Sequence, residues 1–210
     1  MDRKIRMSEE FARKSMEDYD SGHDWWHIVR VRNLALYINE NEKMADRFTL
    51  EITALLHDTA DSKFVKGDSE NGYKMIGEFL DTAGMTNIRD QVVEVIRNVS
   101  FSSENPAINL SDPVLQIIQD ADKLDAIGAI GVARAFNYGG FRNNMIYVPG
   151  EGKGEKNSST IGHFYDKLLR LKDMMNTPTG RFLAEERHQF LKKFLEQFYR
   201  EWDFGTQEIY

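Results

Sequence analysis

The chain has 210 residues, of which 41% are hydrophobic and 29% are charged, and its formal net charge is −7 at pH 7. This length and composition indicate a globular protein, with a single domain over residues 1–210, and exclude a disordered or fibrous one. The acidic balance argues against binding of a nucleic acid polymer, no apolar run approaches the roughly 20 residues of a membrane helix, and the lack of cysteine excludes disulfides and thiolate metal sites.

Nearly every segment carries apolar residues three and four positions apart, which is the period of an α-helix with one buried face. The chain is therefore predicted to be all-α, with about eight helices including a short first one. Asp24 is predicted to cap a helix whose inward face is formed by Ile28, Val31, Leu34, Ala35 and Ile38. Thr49 is predicted to cap the next helix. Ser69 to Ala83 follows, closed by Gly84 in the left-handed conformation.

Asn87 opens a further helix, and Asp112-Pro113 begins one that is predicted to run without a break to about Phe136. Residues 137–159 (NYGGFRNNMIYVPGEGKGEKNSS) are rich in Gly and Asn and are predicted to be irregular, as a lid or binding loop or as a solvated loop. Their cations are Arg142, Lys153 and Lys156. Two helices are predicted after residue 157, the second opened by Thr177-Pro178, and they pack as C-terminal helices over residues 157–202.

Four ionisable residues fall on apolar helical faces. His27 has helical spacing with the inward stripe of its helix, the pair His57-Asp58 interrupts the apolar run LLHDTAD, and Asp122 follows Ile118 by four residues. A buried carboxylate needs a base, a proton or a metal as its partner. One divalent cation would satisfy all four groups, and nitrogen and oxygen ligands without sulfur suit Mn²⁺, Fe²⁺, Ni²⁺, Co²⁺, Zn²⁺ or Mg²⁺.

Each residue also has a plainer interpretation. His27 alone is typical of a core histidine that is satisfied by hydrogen bonds, and Asp122 alone is typical of a partner for a nearby Arg or Lys. The pair His57-Asp58 alone is weak evidence, because a two-residue pattern often occurs by chance. The joint occurrence of H, HD and D in this order, each in an apolar-periodic helix, favours the metal site.

The sequence resembles the HD-domain metal-dependent phosphohydrolases, and in particular their small, free-standing bacterial subgroup. The matching segments are GHDWWHIVRV (22–31), LLHDTADSKF (55–64), QDADKLDAIGAIG (119–131) and STIGHFYDKLLRL (159–171). The resemblance implies an all-α HD-domain helical bundle, with core motifs over 22–131, and metal ligation by His27, His57, Asp58 and Asp122. Binuclear members of the family add histidines between the HD pair and the last aspartate. No histidine lies between 57 and 163 here, so one metal ion is predicted.

Other polar residues near these motifs are candidates for catalysis and substrate binding. Asp61 is predicted to orient the attacking water or take its proton, and Lys63 to contact a phosphate, the alternative being a mutual ion pair of the two. Arg30 is a candidate phosphate ligand or the partner of an acid. His163 and Lys167, four residues apart, can meet the substrate or lie at the surface.

Together these features predict a metal-dependent phosphohydrolase that removes phosphate or pyrophosphate from nucleotides through a metal-activated water. A phosphodiesterase and a non-catalytic sensor that binds metal and nucleotide remain as alternatives. The expected partner is a small phosphorylated substrate, with no nucleic acid polymer and no membrane, and a homo-oligomer is compatible with the sequence. We expect a cytoplasmic protein, because the N-terminus MDRKIRMSEEF lacks the apolar core of a signal peptide.

Overall fold

The structure, a computed structural model, describes residues 3–16, 24–60, 69–99, 111–149 and 158–204. Within these ranges every regular element is a helix and no strand occurs, which confirms the all-α prediction. None of the helices there has the length and apolar character needed to cross a membrane. A 3-10 helix covers Leu168–Met174, and the α-helices are α1 Arg3–Ser15, α2 Trp25–Glu42, α3 Arg47–Leu56, α4 Ser69–Thr82, α5 Thr86–Val99, α6 Pro113–Asp125, α7 Gly128–Phe141, α8 Thr160–Asp166 and α9 Pro178–Trp202.

Local capping explains where several of these helices begin and end. The Asp24 carboxylate accepts a hydrogen bond from the backbone N–H of His27 at 2.8 Å, and Asp112 accepts one from Val114 at 2.7 Å. Thr177 caps α9 through the N–H of Gly180. Gly84 follows α4 with φ of 70°, the left-handed region in which a residue without Cβ is unstrained. The predictions at these positions are confirmed.

The start of α3 differs from the prediction. The cap is Asp46, and Thr49 lies inside the first turn, where both its backbone N–H and its hydroxyl donate to the Asp46 carboxylate at 2.8 Å. Both residue types can cap a helix, and Asp46 takes the position because its carboxylate can accept both bonds at once.

We expect Asp46→Ala to lower the free energy of unfolding by about 1 kcal/mol at neutral pH, because the first turn of α3 loses its cap. The two bonds from Thr49 hold the pKa of Asp46 below its usual 3.8. The contribution of the carboxylate is therefore complete above the unfolded-state pKa and is lost as the pH falls through the lower folded-state pKa. Urea unfolding of both proteins over this pH range measures the difference, and Asp46→Asn, which caps without ionising, is the control. If the difference in free energy of unfolding between the parent and Asp46→Ala does not become smaller at low pH, Asp46 is not an ionised cap of α3.

The predicted continuous helix from Asp112 to Phe136 is wrong, because α6 ends at Asp125 and α7 starts at Gly128. Gly128 has φ of 76°, a left-handed conformation that stops the helix and that a side chain would strain. Around the break, Arg134 binds the buried Asp125 carboxylate at 2.7 Å, and Arg187 donates to the carbonyl of Leu124. These contacts satisfy the polar groups that the break exposes.

The segment predicted to be irregular is partly helical, since residues 137–141 complete α7. Gly139 is required there by packing, because a Cβ at this position would collide with the Thr160 hydroxyl of α8. The following residues are bonded to the start of α8, as the N–H groups of Thr160 and Ile161 donate to Met145 and Ile146 at 2.8 and 2.9 Å. Residues 150–157, with Lys153 and Lys156, lie outside the described ranges, so a lid there stays a prediction.

The chain divides into two compact units, the first comprising Met1–Asp122 and Asn176–Gly180 and the second Lys123–Met175 and Arg181–Tyr210. In the first, α3 packs against α1, α2 and α5, and α4 packs against α5. Its buried apolar side chains include Ile28, Val31, Ala35, Ile52, Leu55, Leu56, Ile76, Leu80, Val92 and Ile96. Of the five residues predicted to face inward on α2, Ile28, Val31, Ala35 and Ile38 are fully buried, whereas Leu34 is half-buried. That both units form one domain stays a prediction.

The second unit has an aromatic core. Phe164 of α8, Phe136 of α7 and Phe194 of α9 are in mutual contact, with ring centroids 5.7 to 6.1 Å apart. Tyr147 contacts Tyr199 and Trp202 with near-perpendicular rings, which attaches the segment after α7 to the end of α9.

Candidate metal centre

His27 lies in the first turn of α2, and its side chain is completely buried. The Asp24 cap bonds the backbone N–H of His27 itself, so the helix start and the histidine are positioned together. The ring then points to the same interior as Ile28 and Val31, which are also fully buried. This burial is the one that the helical spacing of the sequence predicts.

His57 follows the last residue of α3, and the turn that begins there differs from the predicted continuation of the helix. The N–H and the hydroxyl of Thr59 both donate to the carbonyl of Leu56, at 3.0 and 2.8 Å, so residues 57–60 form a tight turn. The Nδ1 atom of His57 lies 2.8 Å from the carbonyl oxygen of Ala54. Because a carbonyl can only accept, this contact assigns the proton to Nδ1 and leaves a lone pair on Nε2.

The predicted ligands converge on one point of the first unit. The Nε2 atoms of His27 and His57 lie 3.3 Å apart. The Asp58 carboxylate reaches both rings, with Oδ2 at 3.3 Å from His27 Nε2 and Oδ1 at 3.6 Å from His57 Nε2. Asp122 Oδ1 lies 3.5 Å from His27 Nε2. The ligand atoms of His27, His57 and Asp122 all lie within 4.8 Å of one another, so this group could hold a metal ion.

The chemistry and spacing of these atoms fit a divalent cation. Neighbouring ligands at right angles around an ion, each about 2.1 Å from it, are about 3 Å apart, which is close to the separations observed here. The proton on His57 Nδ1 leaves a lone pair on Nε2 that faces His27, and either a cation or a proton on His27 Nε2 would satisfy it. Two neutral imidazoles and two carboxylates balance a charge of +2. The exposed fraction of the side chain is 0% for both histidines and 38% for Asp122, so the group is open to solvent on the aspartate side.

A close helix contact supports the turn that carries His57 and Asp58. Gly72 of α4 lies directly against Ala60, where an added Cβ would be 2.8 Å from the Ala60 Cα. Only a residue without a side chain permits this approach, because real Cβ contacts are longer. The backbone of α4 thereby bounds the turn two residues beyond Asp58.

The remaining predicted site residues lie in different parts of the chain. Asp61 and Lys63 lie outside the described ranges, so their roles stay predictions. Arg30 is half-buried on α2, one turn after His27. Arg142 and Lys167 belong to the second unit, where they are exposed and form the C-caps of α7 and α8.

His163, also in the second unit, lines a cavity of about 110 Å³ together with Tyr138, Asn144 and Asp166. His163 is exposed at the surface. Partial burial of its ring, which disfavours the charged form, lowers the pKa of His163, and the nearby positive charge of Lys167 lowers this pKa further. A neutral imidazole can both donate and accept one hydrogen bond, so His163 is suited to a polar ligand more than to a purely electrostatic anion contact.

One buried carboxylate near the centre is absent from the sequence prediction. Asp120 is completely buried and accepts hydrogen bonds from Asn176 and Thr177, far along the chain. Its burial was foreseeable, because Asp120 shares the apolar period of α6 with Ile117 and Leu124. Its partners were not, because nothing in the sequence relates residue 120 to residues 176 and 177.

Comparison with known proteins gives a consistent family. A family model described as the HD domain matches residues 25–127. The chain is 43% identical over 189 residues to the uncharacterized protein YpgQ of Bacillus subtilis, covering 87% of this chain and 85% of that protein. It is 26% identical over 200 residues to the uncharacterized protein L803 of Acanthamoeba polyphaga mimivirus, covering 79% of this chain and 82% of that protein.

Solved structures are similar over nearly the whole chain. The crystal structure of Bacillus subtilis YpgQ in complex with ADP superposes with a TM-score of 0.77 and 37% sequence identity, covering 96% of this chain and 98% of that one. An HD-superfamily hydrolase from Bacillus thuringiensis superposes with the same TM-score and identity, covering 96% and 97% of the two chains. The similarity thus includes the second unit as well as the matched residues 25–127.

Proposed function

Because the chain belongs to the HD domain family, we propose that it is a metal-dependent phosphohydrolase that removes phosphate or pyrophosphate from nucleotides. The observation that carries the proposal is the convergence of His27, His57, Asp58 and Asp122 from three separate segments, in which His27 lies 3.3 to 3.5 Å from each of the other three and Asp58 lies 3.6 Å from His57. The similarity to HD-superfamily hydrolases supports the reaction class. The ADP complex of the similar protein YpgQ supports a nucleotide as substrate.

The four donors are proposed to hold one divalent ion, Mn²⁺, Fe²⁺, Ni²⁺, Co²⁺, Zn²⁺ or Mg²⁺, since they present nitrogen and oxygen without sulfur. In the part of the chain that the structure describes, the one group of this kind comprises His27, His57 and Asp122, and Asp58 is added to it because its carboxylate reaches both histidines. Such an ion would polarise a phosphoryl oxygen and lower the pKa of a water molecule at the site.

The chain's own residues supply orientation and proton transfer. The bond from His57 Nδ1 to Ala54 fixes the ring so that Nε2 faces the centre, and the Asp58 carboxylate spans both histidines. Asp61 is proposed to accept the proton of the attacking water, because it follows Asp58 by three residues. Lys63 is proposed to bind a non-bridging phosphate oxygen.

We further propose that Arg30, Arg142, His163 and Lys167 bind the substrate. Arg30 follows His27 by three residues on α2 and offers a planar donor pair that matches phosphate oxygens. His163 is supported by the cavity that it lines. A non-catalytic sensor is the competing proposal, because the complex of YpgQ with ADP is an observation of binding and not of turnover.

The test is a hydrolysis screen of nucleoside mono-, di- and triphosphates with Mn²⁺, Mg²⁺, Ni²⁺ or Co²⁺, with phosphate and pyrophosphate measured separately. We expect release that depends on the metal, stops on addition of a chelator and returns when the metal is restored. Cleavage of a phosphodiester substrate in the same assay would support the alternative of a phosphodiesterase. If the protein binds metal and nucleotide tightly but hydrolyses no nucleotide with any of the metals, the result would favour the sensor and contradict the enzyme.

A further inference from the structure

Asp120 lies on α6, two residues before Asp122, and its buried carboxylate is fully occupied by hydrogen bonds. Its Oδ1 atom accepts from the backbone N–H of Asn176 at 2.7 Å and from Asn176 Nδ2 at 3.1 Å. Its Oδ2 atom accepts from the N–H and the hydroxyl of Thr177 at 2.8 and 2.7 Å. All four bonds can be kept only while Asp120 stays in this position relative to residues 176 and 177. The bonds therefore restrain the position of α6 relative to that segment.

The segment Asn176–Gly180 closes over this carboxylate. Thr177 Oγ1 accepts the N–H of Gly180 at 2.9 Å, so the residue that donates to Asp120 also caps α9. A Cβ at Gly180 would collide with the Asp120 carboxylate, so glycine permits this approach. Asn176 Nδ2 also lies 3.2 Å from the carbonyl of Gln116, one turn earlier on α6. The segment therefore contacts α6 at two successive turns, which restrains rotation of the helix about its axis.

Residues 120 and 122 are separated by about 200° around a helix, so the two carboxylates project from nearly opposite sides of α6. Restraining the Asp120 side consequently restrains the Asp122 side. A rotation of α6 by roughly 10° would displace a carboxylate about 6 Å from the axis by about 1 Å, whereas metal–ligand distances tolerate about 0.2 Å.

We propose that Asp120 is a positioning residue, which holds Asp122 in place for metal binding through its bonds to Asn176 and Thr177. The proposal rests on the metal site of the proposed function. It assigns the segment Asn176–Gly180, which contains none of the four ligands, a role in the affinity of the site. The side chain of Asp120 acts through Asp122 and does not itself face the cation.

The test measures Mn²⁺ affinity of the full-length protein by the electron paramagnetic resonance signal of free Mn²⁺, with the unfolding midpoint measured on the same samples. In Asp120→Asn an amide N–H replaces one acceptor and faces the donors of residues 176 and 177. We expect a loss of Mn²⁺ affinity of about tenfold or more with unchanged stoichiometry. At saturating metal, kcat should fall while KM for the nucleotide changes little.

Asp112→Ala is the matched control, because it also removes an aspartate that fixes α6, but at the start of the helix, where Asp112 caps the first turn and accepts from Gln91 of α5. It should lower the unfolding midpoint and leave Mn²⁺ affinity at the parental value. If Asp120→Asn does not fold, Thr177→Val removes one donor to Asp120 together with the cap of α9, and Thr177→Ser keeps both. The valine variant should then lose affinity several-fold and the serine variant should retain it.

Parental Mn²⁺ affinity in folded Asp120→Asn, or in Thr177→Val if the former is unfolded, would overturn the proposal. Equal losses in Asp120→Asn and Asp112→Ala would also overturn it, because they would reduce the effect to general stability. The affinity readout needs no turnover. Failure of the proposed hydrolase, seen as metal binding without hydrolysis in the parent, is thus distinguishable from failure of the positioning role.

Discussion

Asp58→Ala is expected to abolish metal binding and hydrolysis together, with a loss of kcat/KM of at least about 10³-fold. The Asp58 carboxylate approaches both histidines, with its two oxygens at 3.3 and 3.6 Å from His27 Nε2 and His57 Nε2. Of the four proposed ligands its removal leaves Asp122 as the only carboxylate, so half of the negative charge that would balance the cation is lost.

The measurement combines metal content of the purified protein with hydrolysis of the best nucleotide from the screen. Asp58→Asn is the control for shape, since the amide fills the same volume without the charge, and it should also lose the metal while remaining folded. Asp90→Ala is the control for removal of a carboxylate elsewhere, because the Asp90 side chain is 86% exposed. A metal-free but fully active Asp58→Ala variant would exclude metal-dependent chemistry at this site.

Asp61→Ala is expected to keep the bound metal and to lose about 10²- to 10⁴-fold in kcat, the usual contribution of a general base. The prediction comes from the sequence, because Asp61 lies outside the described residues. In HDTAD the carboxylate follows Asp58 by three residues, and the four predicted ligands do not include it.

Metal content and kcat measured on one preparation separate ligation from proton transfer. Asp61→Asn should behave like the alanine variant, because an amide orients water but cannot accept its proton. Hydrolysis as fast as in the parent would show that Asp61 has no role in proton transfer. Loss of metal along with activity would instead make Asp61 a ligand or a residue required for folding.

The sequence by itself determined the helices and the residues that converge on the centre. Helical spacing places His27 and Asp122 on apolar faces, and capping residues such as Asp24, Asp112 and Thr177 mark helix starts, because both signals depend on neighbours within a few positions. The same local rules failed at two positions where the neighbouring residues fit two structures equally well. Asp46 replaced Thr49 as a cap, and Gly128 divided a helix whose apolar period continues across it.

The tertiary structure alone decided how the separate segments meet. The 3.3 Å contact between His27 and His57 joins residues 30 positions apart, and the bonds of Asp120 join it to residues 56 and 57 positions later. Gly139 likewise lies against Thr160 of α8, 21 positions later, where an added Cβ would collide with the Thr160 hydroxyl. A single sequence specifies local backbone preference and which side chains are buried. The partner that satisfies a buried polar group is chosen by packing of distant segments, and this choice leaves no periodic signal.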